Sequence, residues 1–227
     1  MVQGEPQSIV VAKDLHKRVV AQSADLTILS AVSLDIKAGE SLAIVGVSGS
    51  GKSTLLGLLA GLDEPSSGDV MLCGQSLAET DEDGRARLRG QHVGFVFQSF
   101  QLLPNLTAFE NVRLPLEIMG AGNADARVDE LMARVGLTDR KSHYPRQLSG
   151  GEQQRVAIAR AFVTKPIILF ADEPTGNLDA ATGGTVIELL FELNREQHTT
   201  LIMVTHDEML ARRCERQIRL EAGRIVS

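Results

Sequence analysis

The sequence of 227 residues predicts an α/β protein with a mainly parallel central sheet, antiparallel β structure in front of it and a helical insertion within it. Three observations carry this. Four short, continuously apolar runs each close on a glycine or a polar residue; helix-patterned stretches lie between them; and polar–apolar alternation is confined to the front of the chain.

The front, Ile9 to Ile36, holds alternating patches such as Val32-Ser33-Leu34-Asp35-Ile36 and reads as antiparallel β structure. The first apolar run, Leu42-Ala43-Ile44-Val45, ends at Gly46 and is followed by a helical stretch from Lys52 to Gly61. The second, Val93-Gly94-Phe95-Val96-Phe97, ends at Gln98. From Thr107 to about Pro145 the pattern is helical, with a break at Gly120-Ala121-Gly122-Asn123 and a helix start at Asn123-Ala124-Asp125. A further helix is expected from Gln153 to Val163. The third run, Ile167 to Ala171, delivers Asp172-Glu173, a helix spans Thr185 to Arg195, and the fourth run, Leu201 to Thr205, delivers His206. Continuous rather than alternating apolar runs mark strands buried on both faces, as in a parallel sheet. Ligands of such sheets bind beyond the carboxyl ends of the strands, so the four runs are expected to bring their chemistry to one edge. Residues 1–8 read as a tail and 9–227 as one domain, with a helical subdomain at about 99–163.

Composition narrows the function. With 43% hydrophobic and 23% charged residues the chain is ordinary for a globular protein, and a formal net charge of −6 argues against phosphate-backbone binding, so no nucleic-acid partner is expected. Met1 to Ser8 has neither the basic nor the apolar region of a secretory signal. The longest charge-free stretch, Gly90 to Phe109, carries three Gln with Asn105, Pro104 and His92, which is no membrane span. Any link to a membrane is expected to go through a partner. Cys73 and Cys214 stand far apart without metal-site spacing and read as reduced bystanders.

Gly46-Val47-Ser48-Gly49-Ser50-Gly51-Lys52-Ser53 fits GxxxxGK[ST] directly after an apolar strand and before an apolar helix. Glycines let successive N–H groups turn towards a polyphosphate, and the helix start adds partial positive charge. Lys52 supplies a full charge at the β/γ phosphates, and the Ser53 hydroxyl is placed to ligate Mg2+. The core is therefore that of a phosphate-loop NTPase. Asp172 and Glu173 close the most apolar run; a carboxylate there holds Mg2+, usually through water, and its neighbour can orient and deprotonate the attacking water. Gln98 and His206 carry weaker signals, raised by their places at strand ends.

Leu148-Ser149-Gly150-Gly151-Glu152-Gln153-Gln154-Arg155 contains a Ser-x-x-Glu capping box, and its two glycines would leave N–H groups bare in the first turn. One chain with two phosphate-gripping helix starts invites pairing, each site built from one end of each chain.

With these motifs in order, together with Asn177-Leu178-Asp179, the sequence resembles an ABC ATPase from about Ile9 to Val226. The wording GLDEPSSG, VGFVFQSFQLLPNLTAFENV, ADEPTGNLD and TLIMVTHD is similar to the branch serving lipoprotein release, macrolide-type efflux and the FtsE system, closest to YbbA-like ATPases. The resemblance implies the ABC ATPase fold and a head-to-tail pair of copies enclosing two ATPs. Gly46, Ser48, Gly49, Ser50, Gly51, Lys52, Ser53 and Thr54 would bind ATP, met across the pair by Ser149, Gly150, Gly151 and Asp179. Ser53, Gln98 and Asp172 would serve Mg2+, and Glu173, His206 and Gln98 catalysis. It implies an integral membrane permease as partner, at the inner face of the cell membrane, with export or extraction of an apolar or lipid-like substrate; an FtsE-like signalling ATPase is the alternative. Phe100, Leu102, Leu103, Pro104 and Leu106 are the candidates for the permease groove, with ordinary subdomain core as the alternative. One departure stands out. The family usually stacks adenine on an aromatic ahead of the phosphate loop, but no Phe, Tyr or Trp precedes Phe95, and Val19 takes that place. Weak discrimination between ATP and GTP is therefore expected.

Overall fold

The alternating front folds as two long strands, β1 (Ser8–Ala21) and β2 (Ala24–Lys37), in the computed structural model, which describes residues 7–21, 24–122 and 124–226. Most of the expected tail, and Asn123 at the expected helix start, lie outside the described residues. Along the chain follow β3 (Ser41–Val45), α1 (Lys52–Leu59), β4 (Ser67–Leu72), β5 (Gln75–Ser76), α2 (Glu82–His92), β6 (Val93–Phe97), α3 (Ala108–Ile118) and α4 (Asp125–Arg134). Two single-turn 3-10 segments, Thr138–Arg140 and Pro145–Gln147, lead into α5 (Gly150–Phe162). Then come β7 (Ile168–Asp172), α6 (Ala180–Gln197), β8 (Thr200–Val204), α7 (Glu208–Ala211), β9 (Arg216–Glu221) and β10 (Arg224–Ile225). None of the helices among the described residues is long and apolar enough to cross a membrane.

The described residues fall into two compact units: one runs up to Arg89 and resumes at Thr200, the other is Gly90–Thr199. In the first unit β2-β1-β4-β5 form an antiparallel sheet. There β3 lies between β8 and β9, parallel to both, with β10 antiparallel to β9. All five residues of β3 and of β8 are buried, which is why neither shows alternation. Leu55, Leu58 and Leu59 of α1 are also buried, each contributing about 1.5–3 kcal/mol of hydrophobic stabilisation.

In the second unit β6 and β7 are parallel, with Phe95 stacked on Phe170 across the pair at a centroid distance of 5.7 Å. Phe162 of α5 and Phe170 are fully buried. Gly94 allows α5 close to this pair, since a Cβ there would lie 2.6 Å from the Ala161 carbonyl oxygen.

Two helices begin earlier than their apolar pattern does, because caps set the start. Helix α5 opens at Gly150 on the Ser149 box: the Glu152 N–H donates to Ser149 Oγ (3.3 Å) and the Ser149 N–H to Glu152 Oε2 (2.8 Å). Helix α6 opens at Ala180, where the Asp179 carboxylate accepts from the Ala181 and Thr182 N–H groups. The Ser149 N–H holds the Glu152 carboxyl below its ordinary range. Folding lowers that pKa, so the box contributes fully above the ordinary Glu value of about 4.3 and fades as pH falls through the depressed folded value. Ser149→Ala should cost about 1 kcal/mol at neutral pH, read from the urea midpoint. The deficit of a Glu152→Ala variant should shrink as pH drops through that window.

Six elements, β4, β5, α2, α7, β9 and β10, have no counterpart in the sequence pattern. Only Leu88 of α2 is buried, so no apolar stripe marks it. It is held instead by Arg85, paired with Glu64 and Glu82, and by Arg89, which reaches Glu82 and the Gly61 carbonyl. Cys73 and Cys214 are free thiols, and burial pushes them up to about 11 and about 12.

Candidate functional site

The phosphate loop leaves β3 at Gly46 and enters α1 at Lys52, within the first unit. Its shape depends on missing side chains. A Cβ on Gly46 would lie 2.3 Å from the Leu220 carbonyl oxygen, and one on Gly51, at φ 100°, would meet Leu29 Cδ2 at 2.9 Å. The loop is tied from behind as the Gly223 N–H donates to the Ser50 carbonyl and the Ser30 N–H to the Gly223 carbonyl. Lys52 is only 8% exposed and donates through Nζ to the Gly46 (2.9 Å) and Val47 (3.1 Å) carbonyls. Those bonds use two of its three N–H groups, leaving one for an anion. Ser50 is buried, and its Oγ has no partner among the described residues. Ser48, Gly49 and Ser53 are exposed, and Thr54 is half-buried.

His206 follows β8 and is exposed. Its turn is pinned: the Thr205 N–H donates to the Ile44 carbonyl (3.2 Å), Thr205 Oγ1 accepts from the Asp207 N–H (3.0 Å), and Asp207 caps α7. As Ile44 pairs with Val204, the loop after β3 and the His206 turn leave adjacent parallel strands at the same end.

The second unit repeats this logic. Phe97 pairs with Asp172, so Gln98 and Glu173 emerge together at the carboxyl ends of β6 and β7. Asp172 and Glu173 are half-buried, and Glu173 has φ 46°, an uncommon left-handed conformation that turns the chain sharply out of the strand. Beyond that turn, the Asn177 side-chain amide donates to the Gln98 carbonyl (2.9 Å) and accepts from Gln98 Nε2 (3.3 Å). Fully buried Gln154 of α5 donates to the Pro174 carbonyl (2.6 Å), linking that helix to the residue after Glu173.

The segment Leu148 to Arg155 leads into α5 and forms its first turns. Ser149 and Asp179, both expected to reach nucleotide across a pair of chains, are the N-caps of α5 and α6 in this chain. Gly151 is needed where it stands, because a Cβ there would lie 2.3 Å from Thr182 Cγ2. Further along α5, the Arg160 guanidinium donates to the Gln101 (2.6 Å) and Phe100 (3.0 Å) carbonyls, and burial pushes its pKa down. Phe100 and Gln101 are both left-handed, at φ 61° and 49°. Asn111 of α3 secures the other end of this segment, accepting from the Leu103 N–H and donating to the Leu103, Leu106 and Thr107 carbonyls. Held this way, Leu103 and Pro104 are exposed, while Phe100, Leu102 and Leu106 are half-buried. The segment thus has both an outer face and a packed one.

The residues fit a nucleotide with Mg2+. In the first unit the buried Ser50 hydroxyl, the loop cradle and the Lys52 ammonium suit a polyphosphate, and the Ser53 hydroxyl is a hard oxygen donor; in the second unit, taken by itself, the Gln98 amide oxygen and the Asp172 carboxylate are donors of the same kind. Among the described residues no group of three or more His, Cys, Asp or Glu could hold a metal by itself. Val19 (43% exposed), expected from the resemblance to meet the base, pairs directly across from Leu26 (62% exposed) on β2, the strand whose Ile28 and Leu29 back Gly51. Nothing in the sequence pattern marks Leu26, since only the fold sets it opposite Val19.

The family model described as ABC transporter matches residues 29–176. This chain belongs to the ABC transporter ATP-binding family. Among its relatives, the ABC transporter ATP-binding protein YbbA of Escherichia coli is 56% identical over 221 residues, 96% of this chain and 97% of that one. The lipoprotein-releasing system ATP-binding protein LolD of Hydrogenovibrio crunogenus is 48% identical over 96% of each chain. That of Chromohalobacter salexigens is 50% identical over 88% of this chain and 86% of its own. Of the solved structures, the ATP-binding cassette MJ0796 in a dimeric post-hydrolysis state with ADP and Pi superposes at a TM-score of 0.88. It has 40% identity over 96% of this chain and 97% of that one. A second dimeric MJ0796 structure gives 0.89 at 41% identity. The ABC cassette is thus an ATP hydrolase with the ABC ATPase fold, and it fits the YbbA/LolD-like branch.

Proposed function

We propose that two copies of this chain close head to tail on two ATPs and drive a membrane permease from its cytoplasmic side. The observation that carries this is the second anion-accepting helix start, α5 with Gly150 and Gly151 in its first turn, on a chain whose own phosphate loop already heads α1. In the closed pair, Gly46, Ser48 to Thr54 and Lys52 of one copy grip the triphosphate, and Ser149 to Gly151 and Asp179 of the other meet it. Ser53, Asp172 and Gln98 hold Mg2+, which when bound neutralises charge on the phosphates. Glu173 takes the proton of the attacking water, with His206 at the γ-phosphate. The residues from about 99 to 163 form the helical subdomain, and Leu102, Leu103, Pro104 and Leu106 with Phe100 offer the permease contact. The LolD relatives support export or extraction of an apolar or lipid-like substrate.

The test is capture from detergent-solubilised membranes with Glu173→Gln protein, with and without ATP. Nucleotide-dependent recovery of one polytopic membrane protein whose co-expression with the unaltered chain stimulates ATP hydrolysis is the expected result; absence of any such stimulation would reject the permease. At the base end, an aliphatic Val19–Leu26 platform gives apolar contact without an aromatic quadrupole. ATP and GTP should therefore bind within about threefold of each other, a difference near 0.7 kcal/mol. Val19→Tyr should tighten both, and a strong ATP preference of the unaltered protein in side-by-side titrations would count against the platform.

A further inference from the structure

We infer that Asn177 is a positioning residue that sets the orientation of the Gln98 amide and so presents its oxygen, rather than its nitrogen, to the nucleotide-bound cation. The inference rests on the reading of Gln98 as a metal-contacting residue.

The chemistry follows from which end of each amide is engaged. Asn177 Nδ2 donates to the Gln98 main-chain carbonyl at 2.9 Å, an acceptor that cannot change sign. That fixes Asn177 Oδ1 as the remaining end, and an oxygen there can only accept, so it takes Gln98 Nε2 at 3.3 Å. Once Nε2 faces Asn177, Oε1 is the end of Gln98 turned away from it. A cation is served by oxygen and repelled by an N–H, so the pair selects the one orientation of Gln98 that suits Mg2+.

The backbone supports the same placement. The Gln98 side chain lies across Gly176, where an added Cβ would sit 2.8 Å from Nε2, 3.1 Å from Cδ and 3.2 Å from Cγ. Gly176 N–H in turn donates to the Glu173 carbonyl at 3.0 Å, so the bed on which Gln98 rests is one turn beyond Glu173. Both amides are exposed. The pair therefore acts less by its own strength than by removing rotamers and the flipped amide from a flexible side chain.

The measurement is the factor by which Mg2+ tightens binding of AMP-PNP, a slowly hydrolysed ATP analogue, taken from calorimetric titrations in EDTA and in Mg2+. Gln98→Ala tests the underlying reading and should shrink that factor. Asn177→Ala should shrink it about fivefold while leaving the metal-free affinity and the unfolding temperature unchanged. The double variant should lose no more than Gln98→Ala alone, because Asn177 acts only through Gln98. If Gln98→Ala leaves the factor intact, the metal reading of Gln98 fails and takes the inference with it. If Gln98→Ala shrinks it but Asn177→Ala does not, or if Asn177→Ala weakens metal-free binding equally, or if the two losses multiply, Gln98 keeps its role and Asn177 loses the one assigned here.

Discussion

Glu173→Gln should lower kcat for ATP hydrolysis by about three orders of magnitude, the middle of the range a general base supplies, with little change in fold or nucleotide affinity. The swap replaces one carboxylate oxygen by an amide nitrogen of nearly the same shape, so the left-handed turn at φ 46° and the half-buried placement can persist. What is lost is the ability to accept a proton from water. Asp172, the last residue of β7, does not take over, because Glu173 stands beyond it on the left-handed turn that carries the chain out of the strand. With turnover blocked, ATP should hold two copies together, so size-exclusion chromatography with ATP should show a dimer that the unaltered protein forms only transiently. Full phosphate release by the variant would remove Glu173 from the role, and a blocked variant that stays monomeric in ATP would undo the head-to-tail pairing.

Lys52→Ala should raise the dissociation constant for ATP by about a hundredfold, since a charge-assisted contact to phosphate in a largely desolvated place is worth about 1.5–3 kcal/mol. Two effects add. The ammonium no longer meets the phosphates, and the Gly46 and Val47 carbonyls lose their shared donor, which loosens the loop even without ligand. Lys52→Arg is expected to fail almost as badly, because a planar guanidinium at 8% exposure cannot occupy the space of a compact ammonium. Calorimetric titration with ATP, set beside a thermal unfolding curve, separates lost binding from lost fold; near-normal affinity of Lys52→Ala would place the phosphates elsewhere.

Much of the fold was legible because its strands are buried on both faces. Leu42 to Val45 and Leu201 to Val204 read as uninterrupted apolar runs, and they are strands with every residue covered. The start of α5 could be read from Ser149 and Glu152 because a capping box is local. By contrast α2 is held by arginines reaching Glu64 and the Gly61 carbonyl, 21 and 28 residues back, and no window of sequence shows that. The candidate site divides the same way. Lys52, Asp172 and Glu173 announce themselves through neighbours in the chain, but Asn177 meets Gln98 across 79 positions and Leu26 meets Val19 only through the register of a bulged hairpin. Distant partners of this kind are set by tertiary packing, which periodicity does not encode.

The clamps on the segment after Gln98 have an evolutionary consequence. Arg160 and Asn111 grip main-chain atoms only, the carbonyls of Phe100, Gln101, Leu103, Leu106 and Thr107 and one N–H. Every residue type carries the carbonyl and every type but proline the N–H, so the exposed side chains at Leu103, proline apart, and Pro104 can be exchanged without loosening the hold on the backbone beneath them. A lineage of such proteins can thus acquire new recognition surfaces there by single substitutions, while the path of the chain leading to Gln98 is inherited unchanged.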